Sequence, residues 1–446
     1  MRINNWSGLY VFGYLLVSTG IGGFYRRFEV EGKENLPVGK PILFAANHQN
    51  AFLDGAVIAY AISKPIYFLG RSDIFRKRVA KWVLGELNCL PIYREKDGVD
   101  TIKMNNEIFD TFYDILQKNR PMVIFPEGNQ GDKKQLRGPV KKGVFRIAVG
   151  AESKYNKKLD VHIVPVGIDY EKQSAMGGDL LVSFGKPIRI LDHIGKDAKE
   201  QGKIYTNLIA DLEERISSLM IDIQEKDHYE MIYTIVKTFS DEINHRENVN
   251  TRRLLDTMHA QKSCITRIEQ RVHDYPDEAA ELKGVAEDLS NGIKNLKLRS
   301  WLLQKDRHPI LFQTLMLLLL TPIHIYGMLN SYLPYKLPVW LVQRKVKDQK
   351  FHASIKVIAG ALMFLLFWTL QSALVFSFSD HCLWVLYVVS LPLSALTSYF
   401  FWIQLLKLKG KLRYNNYMSD KDVRIMELHK QYNRIKDYLN SIYDKK

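Results

Sequence analysis

A histidine and a carboxylate stand six positions apart, just after an apolar run that is typical of a buried strand. Residues 41–46 form the run, His48 follows it, and Asp54 comes soon after. A carboxylate that holds one imidazole nitrogen leaves the other nitrogen to take a proton from a hydroxyl group. We therefore predict that His48 is a general base and that Asp54 orients its ring. For this fragment alone, a solvated histidine in a turn is the competing interpretation.

Further apolar runs downstream also end in polar residues. Arg94 ends one such run, and Glu127 and Gly128 end another. Short apolar strands that alternate with helical stretches indicate an α/β domain, which we assign to residues 36–195.

Four short blocks give the chain a resemblance to the glycerolipid acyltransferases, the family that acylates glycerol-3-phosphate and 1-acylglycerol-3-phosphate. The resemblance covers about residues 25–190, and the blocks stand in the order found in that family. They are Asn47-His48 with Asp54, Pro91-Ile-Tyr-Arg94, Phe125-Pro-Glu-Gly128 and Ile163-Val-Pro165-Val.

The resemblance implies a glycerolipid-acyltransferase-like αβ domain with a mixed sheet flanked by helices. It also implies roles for individual residues: Arg94 binds the substrate phosphate, and Glu127 and Gly128 form the turn that binds the acyl acceptor. We further predict that Arg71, in Gly70-Arg-Ser-Asp73, faces the substrate.

The chain departs from the usual family pattern at two places. Five residues rather than four separate His48 from Asp54, as in a minority of the family that includes fungal dual-substrate glycerol-phosphate acyltransferases. On a continuous helix, six positions correspond to a rotation of about 600°, which would place the two side chains on different faces. We therefore predict that His48 lies in the loop, and that the extra residue is absorbed before the helix starts.

The second departure is the replacement of the usual Thr-Arg after Phe-Pro-Glu-Gly by Asn129-Gln130. The missing arginine removes one expected phosphate contact. Lys133, Lys134 and Arg137 lie close enough in sequence to replace its charge.

The predicted chemistry is direct transfer of an acyl group from a thioester to an alcohol. It requires no serine or cysteine nucleophile, and no Gly-x-Ser-x-Gly elbow is present. The sequence does not identify the oxyanion donors; backbone amides at the start of the helix after His48 are candidates. We predict no metal and no cofactor other than the thioester co-substrate, carried by coenzyme A or by an acyl carrier protein.

The charge balance favours anionic lipids or phosphorylated substrates. The chain has 63 Lys and Arg against 48 Asp and Glu, so 63 − 48 = +15. Nucleic acid is the weaker choice, because no zinc-knuckle spacing or RNA-binding signature is present. The three isolated cysteines indicate a reducing compartment without a disulfide framework.

Composition changes along the chain predict five regions. In order, they are a membrane-interfacial helical lead-in at 1–35, the acyltransferase domain at 36–195, a charged helical region at 200–305, a membrane region at 306–410 and a cytoplasmic tail at 411–446. An ordinary packed helix is the alternative for the lead-in. For 200–305, a helical spacer that packs on the catalytic domain is favoured over a partner-binding coiled coil.

Two apolar stretches, 357–376 and 383–403, are long enough to span a bilayer. Their outer flanks are strongly basic, so the positive-inside rule predicts a hairpin with both ends in the cytoplasm. Three prolines predict that 310–342 dips in and returns as a broken hairpin. We therefore expect an integral membrane protein whose catalytic domain faces the cytoplasm.

Three functions remain open from the sequence. The leading one is a membrane-bound O-acyltransferase that makes phosphatidate from 1-acylglycerol-3-phosphate and an acyl thioester. The second acylates glycerol-3-phosphate or dihydroxyacetone phosphate, and the third is a membrane scaffold that has lost catalysis. The expected partners are membrane lipids, the thioester donor and the phosphorylated glycerol acceptor; the sequence does not indicate an oligomeric state.

Overall fold

The chain divides by its internal contacts into two units. The computed structural model of the chain describes residues 7–93, 101–195 and 197–444. The first unit is Met1–Asp222 with Leu341–Ala361, and the second is Ile223–Trp340 with Leu362–Lys446.

The first unit is built on a mixed sheet, which has eight strands within the described residues. The strands are β1 (Arg27–Glu31), β2 (Ile42–Ala46), β3 (Tyr67–Arg71), β4 (Cys89–Ile92), β5 (Met122–Ile124), β6 (His162–Tyr170), β7 (Asp179–Phe184) and β8 (Ile188–Arg189). The helices are α1 (Gly8–Phe24), α2 (Ala51–Ile62), α3 (Arg78–Glu86), α4 (Thr101–Gln117), α5 (Gly143–Lys154) and α6 (Ala198–Ser218). The strand order is β1-β7-β6-β2-β5-β3-β4, and β8 pairs with β6.

Five strands of this sheet run in the same direction. β2 is parallel to β5 and β6, and β3 is parallel to β4 and β5. β7 and β8 run antiparallel to β6, and β1 follows β7. The predicted mixed sheet with flanking helices is confirmed. Its consequence for function is that β2 to β6 all end at one edge, where their following loops meet.

The two faces of the sheet bury separate apolar cores. Successive residues of β2 alternate between them: Phe44 and Ala46 pack with α1 and α2, whereas Leu43 and Ala45 pack with α4, α5 and α6. This alternation follows from the two-residue period of a strand. Residues 43–46 are all fully buried, which explains why the run before His48 reads as continuously apolar.

A distant segment of the chain completes the first of these cores. Ala353 and Val357 are buried among the side chains of α1 and α2, although they lie about 300 residues away in sequence. A Cβ atom on Gly20 of α1 would come 2.7 Å from Val357 Cγ1 and 3.2 Å from its carbonyl oxygen. Glycine at position 20 therefore permits a close helix approach that a larger residue would block.

The second unit is helical throughout its described residues. It contains α7 (Tyr229–Thr238), α8 (Ser240–Arg246), α9 (Leu254–Asp274), α10 (Pro276–Asn295) and α14 (Val423–Asp444), together with most of three long helices, α11 (Leu311–Lys345), α12 (His352–Phe376) and α13 (His381–Ser419). Among the described residues, these three are the helices long and apolar enough to cross a membrane. A short connection joins α12 to α13, and beside it the Trp384 indole N–H donates to Ser372 Oγ at 2.9 Å; a membrane hairpin with both ends in the cytoplasm stays a prediction.

The predicted break in 310–342 is wrong, because α11 continues as one helix through Pro322, Pro334 and Pro338. Each proline inside a helix costs about 3 kcal/mol. Ending the helix in lipid would instead leave several backbone groups without partners, at several kcal/mol each. The continuous helix is therefore the less costly arrangement at membrane depth. If it crosses once, one of its basic flanks lies outside, so the sidedness of the chain stays a prediction.

The contact between α1 and the segment around Val357 gives a matched pair of variants. Gly20→Ala should lower the free energy of unfolding of the first unit by about 1–3 kcal/mol, because the new methyl group collides with a buried valine. Gly22→Ala, on the same helix with nothing within 4 Å of its Cβ position, should be neutral or stabilising by about 0.5–1 kcal/mol. Thermal unfolding in detergent measures both. Equal melting temperatures for the two variants would refute the predicted contact.

Candidate active site

The candidate residues lie where the parallel strands end. β2 ends two residues before His48, β3 ends at Arg71, and β5 ends three residues before Glu127. Parallel neighbours bring these ends to the same edge of the sheet. The structure therefore places three of the predicted site residues at one edge; Arg94 lies outside the described residues, and its role stays a prediction.

His48 and Asp54 form a hydrogen-bonded pair. His48 Nδ1 lies 2.7 Å from Asp54 Oδ2, and the carboxyl group is fully buried in the first turn of α2. The helix begins only at Ala51, whose backbone has a φ of +44°. The extra residue between the two side chains is thus absorbed in the loop, as predicted.

The same carboxyl oxygen organises the loop that carries the histidine. Asp54 Oδ2 also accepts hydrogen bonds from the backbone N–H groups of Gln49 at 2.7 Å and Asn50 at 2.8 Å. These two amides therefore point at Asp54 and not at a substrate. Both amides precede the helix, which begins at Ala51, so oxyanion donation by backbone amides at the start of α2 stays a prediction.

Tyr170, which the sequence analysis missed, supplies the remaining bond to this carboxyl group. Its hydroxyl donates to Asp54 Oδ1 at 2.7 Å. Burial is the main cause that raises the pKa of Tyr170 well above its usual range, and the nearby Asp54 is the second. The phenol therefore keeps its proton. Tyr170 is the last residue of β6. The sequence signal that could have identified Tyr170 is its position at the end of the strand that contains the fourth family block.

Two polar side chains fix the histidine loop against neighbouring backbone. The Asn47 amide donates to the carbonyl of Ile168 at 2.9 Å and accepts from its N–H at 2.7 Å. The Gln173 amide donates to the carbonyl of Gln49 at 2.6 Å and to that of Gly131 at 2.9 Å. The loop is therefore held from both sides before any substrate binds.

The turn after β5 completes the surroundings of the histidine. The His48 ring stacks on Phe125 with ring centroids 4.0 Å apart and an interplanar angle of 13°. Glu127 Oε1 accepts from the His48 backbone N–H at 2.6 Å. Only 14% of the His48 side chain is exposed, and Nδ1 is held by Asp54, so Nε2 is the ring atom left for a substrate.

Glu127 links the histidine to a cation. Its second oxygen, Oε2, accepts from the backbone N–H of Arg137 at 3.1 Å and lies 3.3 Å from the guanidinium Nε. Burial raises the pKa of Glu127, and the hydrogen bonds from His48 and Arg137 offset part of that rise. Because 2% of the Glu127 side chain is exposed, this geometry favours a positioning role; direct contact with the acceptor stays a prediction.

Gly128 and Arg71 have different environments. Gly128 has a φ of +75°, and a Cβ atom there would come 2.8 Å from Lys141 Cε and Nζ, so the glycine leaves room for a lysine at the turn. Arg71 is half-exposed and forms a two-point ion pair with its neighbour Asp73, whose Oδ1 lies 3.1 Å from Nε. Substrate contact by Arg71 stays a prediction.

Ion pairs near the site involve Arg137 and Lys134, which were predicted with Lys133 to replace the missing family arginine. Arg137 pairs with Glu127, and Lys134 pairs with Asp169 at the end of β6. One guanidinium nitrogen of Arg137, Nη2, is buried without a hydrogen-bond partner among the described residues. No group of three or more potential metal ligands occurs within the described part of the chain, and the expectation of a metal-free reaction stays a prediction.

Comparison with known proteins finds similarity over the part of the chain that carries His48, Asp54 and Glu127. Residues 27–169 match the Acyltransferase family model. Over 83 residues the chain is 34% identical to glycerol-3-phosphate O-acyltransferase 1 of Saccharomyces cerevisiae, a match that covers 19% of this chain and 11% of the relative. Over 139 residues it is 29% identical to the putative 1-acyl-sn-glycerol-3-phosphate acyltransferase acl-1 of Caenorhabditis elegans, which covers 31% of this chain and 48% of the relative.

A solved structure is also similar to part of the chain. It is the crystal structure of the 1-acyl-sn-glycerophosphate acyltransferase PlsC from Thermotoga maritima, at 18% identity and a TM-score of 0.32, covering 46% of this chain and 78% of that chain. The chain spans about a tenth and about half of the lengths of the two curated relatives it matches.

Two buried tyrosines near Asp54 give a test of this geometry. Tyr170→Phe keeps the ring but removes the donor to Asp54 Oδ1, so we expect kcat for acyl transfer to fall about 3- to 30-fold with little change in KM. Tyr25 packs its ring against Tyr170 at 5.8 Å, and its buried hydroxyl has no hydrogen-bond partner among the described residues. Tyr25→Phe should therefore be nearly silent, and an equal loss of kcat in both variants would contradict the role of Tyr170.

Proposed function

We propose that the chain, whose residues 27–169 match the Acyltransferase family model, is a glycerolipid acyltransferase that acylates 1-acylglycerol-3-phosphate to give phosphatidate. The observation that carries the proposal is the buried His48–Asp54 pair at the carboxyl edge of the parallel strands. Both glycerophosphate acceptors and thioester donors fit this chemistry, because it needs a base and no covalent nucleophile.

The proposed reaction has one proton transfer in each direction. His48 Nε2 takes the proton from the acceptor hydroxyl as its oxygen attacks the thioester carbonyl carbon. Asp54 stabilises the imidazolium that forms, and Tyr170 and the loop amides hold Asp54 in place. The tetrahedral species then collapses with cleavage of the carbon–sulfur bond, and the imidazolium returns its proton to the leaving thiolate.

Cations near the histidine support a phosphorylated acceptor. Arg94 is the phosphate-binding residue proposed from the family block. Arg137 is linked to the histidine through Glu127, and Lys141 lies against the Gly128 turn. Fixed cations of this kind bind phosphate through charge-assisted hydrogen bonds.

Glycerol-3-phosphate is the second candidate acceptor. Two observations favour it: the five-residue separation of His48 and Asp54, and the similarity to a yeast protein named glycerol-3-phosphate O-acyltransferase 1. The catalytic domain is proposed to face the cytoplasm, on the basis of the basic residues that flank the α12–α13 hairpin.

The test is an assay of the purified full-length protein with labelled acyl-CoA and each acceptor in turn. We expect faster acylation of 1-acylglycerol-3-phosphate, and His48→Ala should lower kcat by at least about 10²-fold while the protein stays folded and membrane-bound. Faster acylation of glycerol-3-phosphate would select the second candidate. No transfer to either acceptor would contradict the proposed function. A His48→Ala rate above about a tenth of the wild-type rate would contradict the role of His48 as the base.

A further inference from the structure

Helix α3 exposes apolar side chains that the fold leaves uncovered. Val79 is 72% exposed and Trp82 is 61% exposed, whereas Leu84 on the opposite side packs against the core of the first unit. A tryptophan is costly to leave in water because it carries a large apolar area, and its amphipathic ring suits a bilayer interface. Ile74, in the short helix that precedes α3, is 45% exposed as well.

Exposed cations border these apolar side chains. Arg76, Lys77, Arg78 and Lys81 all lie at the surface, and the nearby Asp73 is already paired with Arg71. The segment therefore combines exposed apolar groups with a net positive charge. That combination complements an anionic bilayer, in which the ring enters the interface and the cations meet lipid phosphates.

Helix α1 extends the same surface. Its Ser7 hydroxyl donates to the carbonyl of Glu86 at the end of α3 at 3.0 Å, so the two helices are neighbours. On α1, Phe12 is 46% exposed and Leu15 is 59% exposed. The short helix Ser72–Phe75 starts where β3 ends, at the sheet edge that also carries His48. A bilayer bound here would adjoin the edge with the candidate base.

We propose that this α1–α3 surface, formed by the exposed residues of α1 and of residues 74–82, docks on anionic phospholipid. The exposed apolar area, the uncompensated cations and the position at the catalytic edge all point to that single occupant. The proposal does not depend on which acceptor the enzyme uses.

The test measures the depth of one side chain in the full-length protein. Cys89 and Cys264 are buried, so Cys382→Ser leaves a background in which one introduced cysteine can be labelled. Trp82→Cys carries a bimane label, and Lys158→Cys, exposed before the start of β6 at the opposite edge of the sheet, is the matched control. The protein is reconstituted in phosphatidylcholine with or without phosphatidylglycerol, together with doxyl-labelled lipid.

Quenching at position 82 but not at position 158, and stronger with phosphatidylglycerol, is the expected result. Replacing the four cations by glutamine should remove the dependence on phosphatidylglycerol. Equal exposure of both labels to water would overturn the proposal. Quenching of equal strength with and without phosphatidylglycerol would overturn its electrostatic part.

A separate observation concerns the start of α2. Ser354 is 3% exposed and lies in the first turns of α12, one of the three helices long enough to span a membrane. Its hydroxyl donates to the carbonyl of Asn50 at 2.9 Å and accepts from the N–H of Leu53 at 3.1 Å. The residue at the N-cap of α2, Asn50, makes no side-chain capping bond itself.

From this contact we infer that Ser354 is a positioning residue, which caps α2 in place of the helix's own side chain. The Leu53 N–H also donates to the carbonyl of Asn50 at 2.9 Å, so Ser354 gives this N–H a second acceptor and gives the Asn50 carbonyl a second donor. Loss of both bonds weakens the first turn of the helix. That first turn holds Asp54, and through it the His48 ring. A residue of the membrane helix thus fixes the geometry of the candidate base, an inference that rests on the proposed function for its kinetic consequence.

Ser354→Ala, Ser354→Thr and the control Ser372→Ala test the inference. Ser372 lies on the same helix and accepts a hydrogen bond from the Trp384 indole N–H. We expect about a tenfold fall in kcat with unchanged KM for Ser354→Ala, partial rescue by threonine, and no change for the control. Hydrogen exchange of a peptide spanning residues 49–55 should also speed up in Ser354→Ala alone.

The exchange measurement separates this inference from the proposed function, because it needs no activity. Faster exchange in a protein that acylates neither acceptor would support the cap and reject the function. Unchanged exchange together with an unchanged kcat would overturn the role of Ser354.

Discussion

The rest of the site depends on the burial of one carboxylate. Asp54 is fully buried. The free energy needed to bury an isolated ionised carboxylate is far larger than the free energy that a single hydrogen bond contributes. The structure meets this cost with donors from three directions: the His48 ring, the amides of Gln49 and Asn50, and the hydroxyl of Tyr170. Three of these contacts fall on Oδ2 and one on Oδ1, so both carboxyl oxygens have partners.

This one constraint sets the positions of several elements. The amides that Asp54 binds belong to the loop after β2, so the carboxylate fixes both the histidine ring and its backbone. Tyr170 ties the end of β6 to the same point. A second buried carboxylate, Glu127, also holds the histidine loop, because it accepts hydrogen bonds from the backbone N–H groups of His48 and Arg137. The base is therefore held in place before substrate arrives, which is what efficient proton transfer requires.

The sequence predicted what depends on local pattern, and it missed what depends on distant contacts. The strand ends, the His48–Asp54 pair and the loop that absorbs the extra residue follow from short runs of residues, and the mixed sheet was implied by the family resemblance. Tyr170 and Ser354 reach Asp54 and α2 across 116 and 301 to 304 positions, and single-sequence periodicity carries no such information. The broken hairpin was wrong because a continuous helix keeps the backbone hydrogen bonds that a break at the prolines would lose.

A double-variant cycle on His48 and Asp54 tests the central claim most directly. The claim is that the carboxylate acts through the histidine and has no separate effect on the reaction. Initial rates of acyl transfer are measured for the wild type, His48→Ala, Asp54→Asn and the double variant, each checked for folding by thermal unfolding. The account predicts that Asp54→Asn slows the wild type strongly and slows His48→Ala hardly at all. Two losses that multiply in the double variant would contradict it.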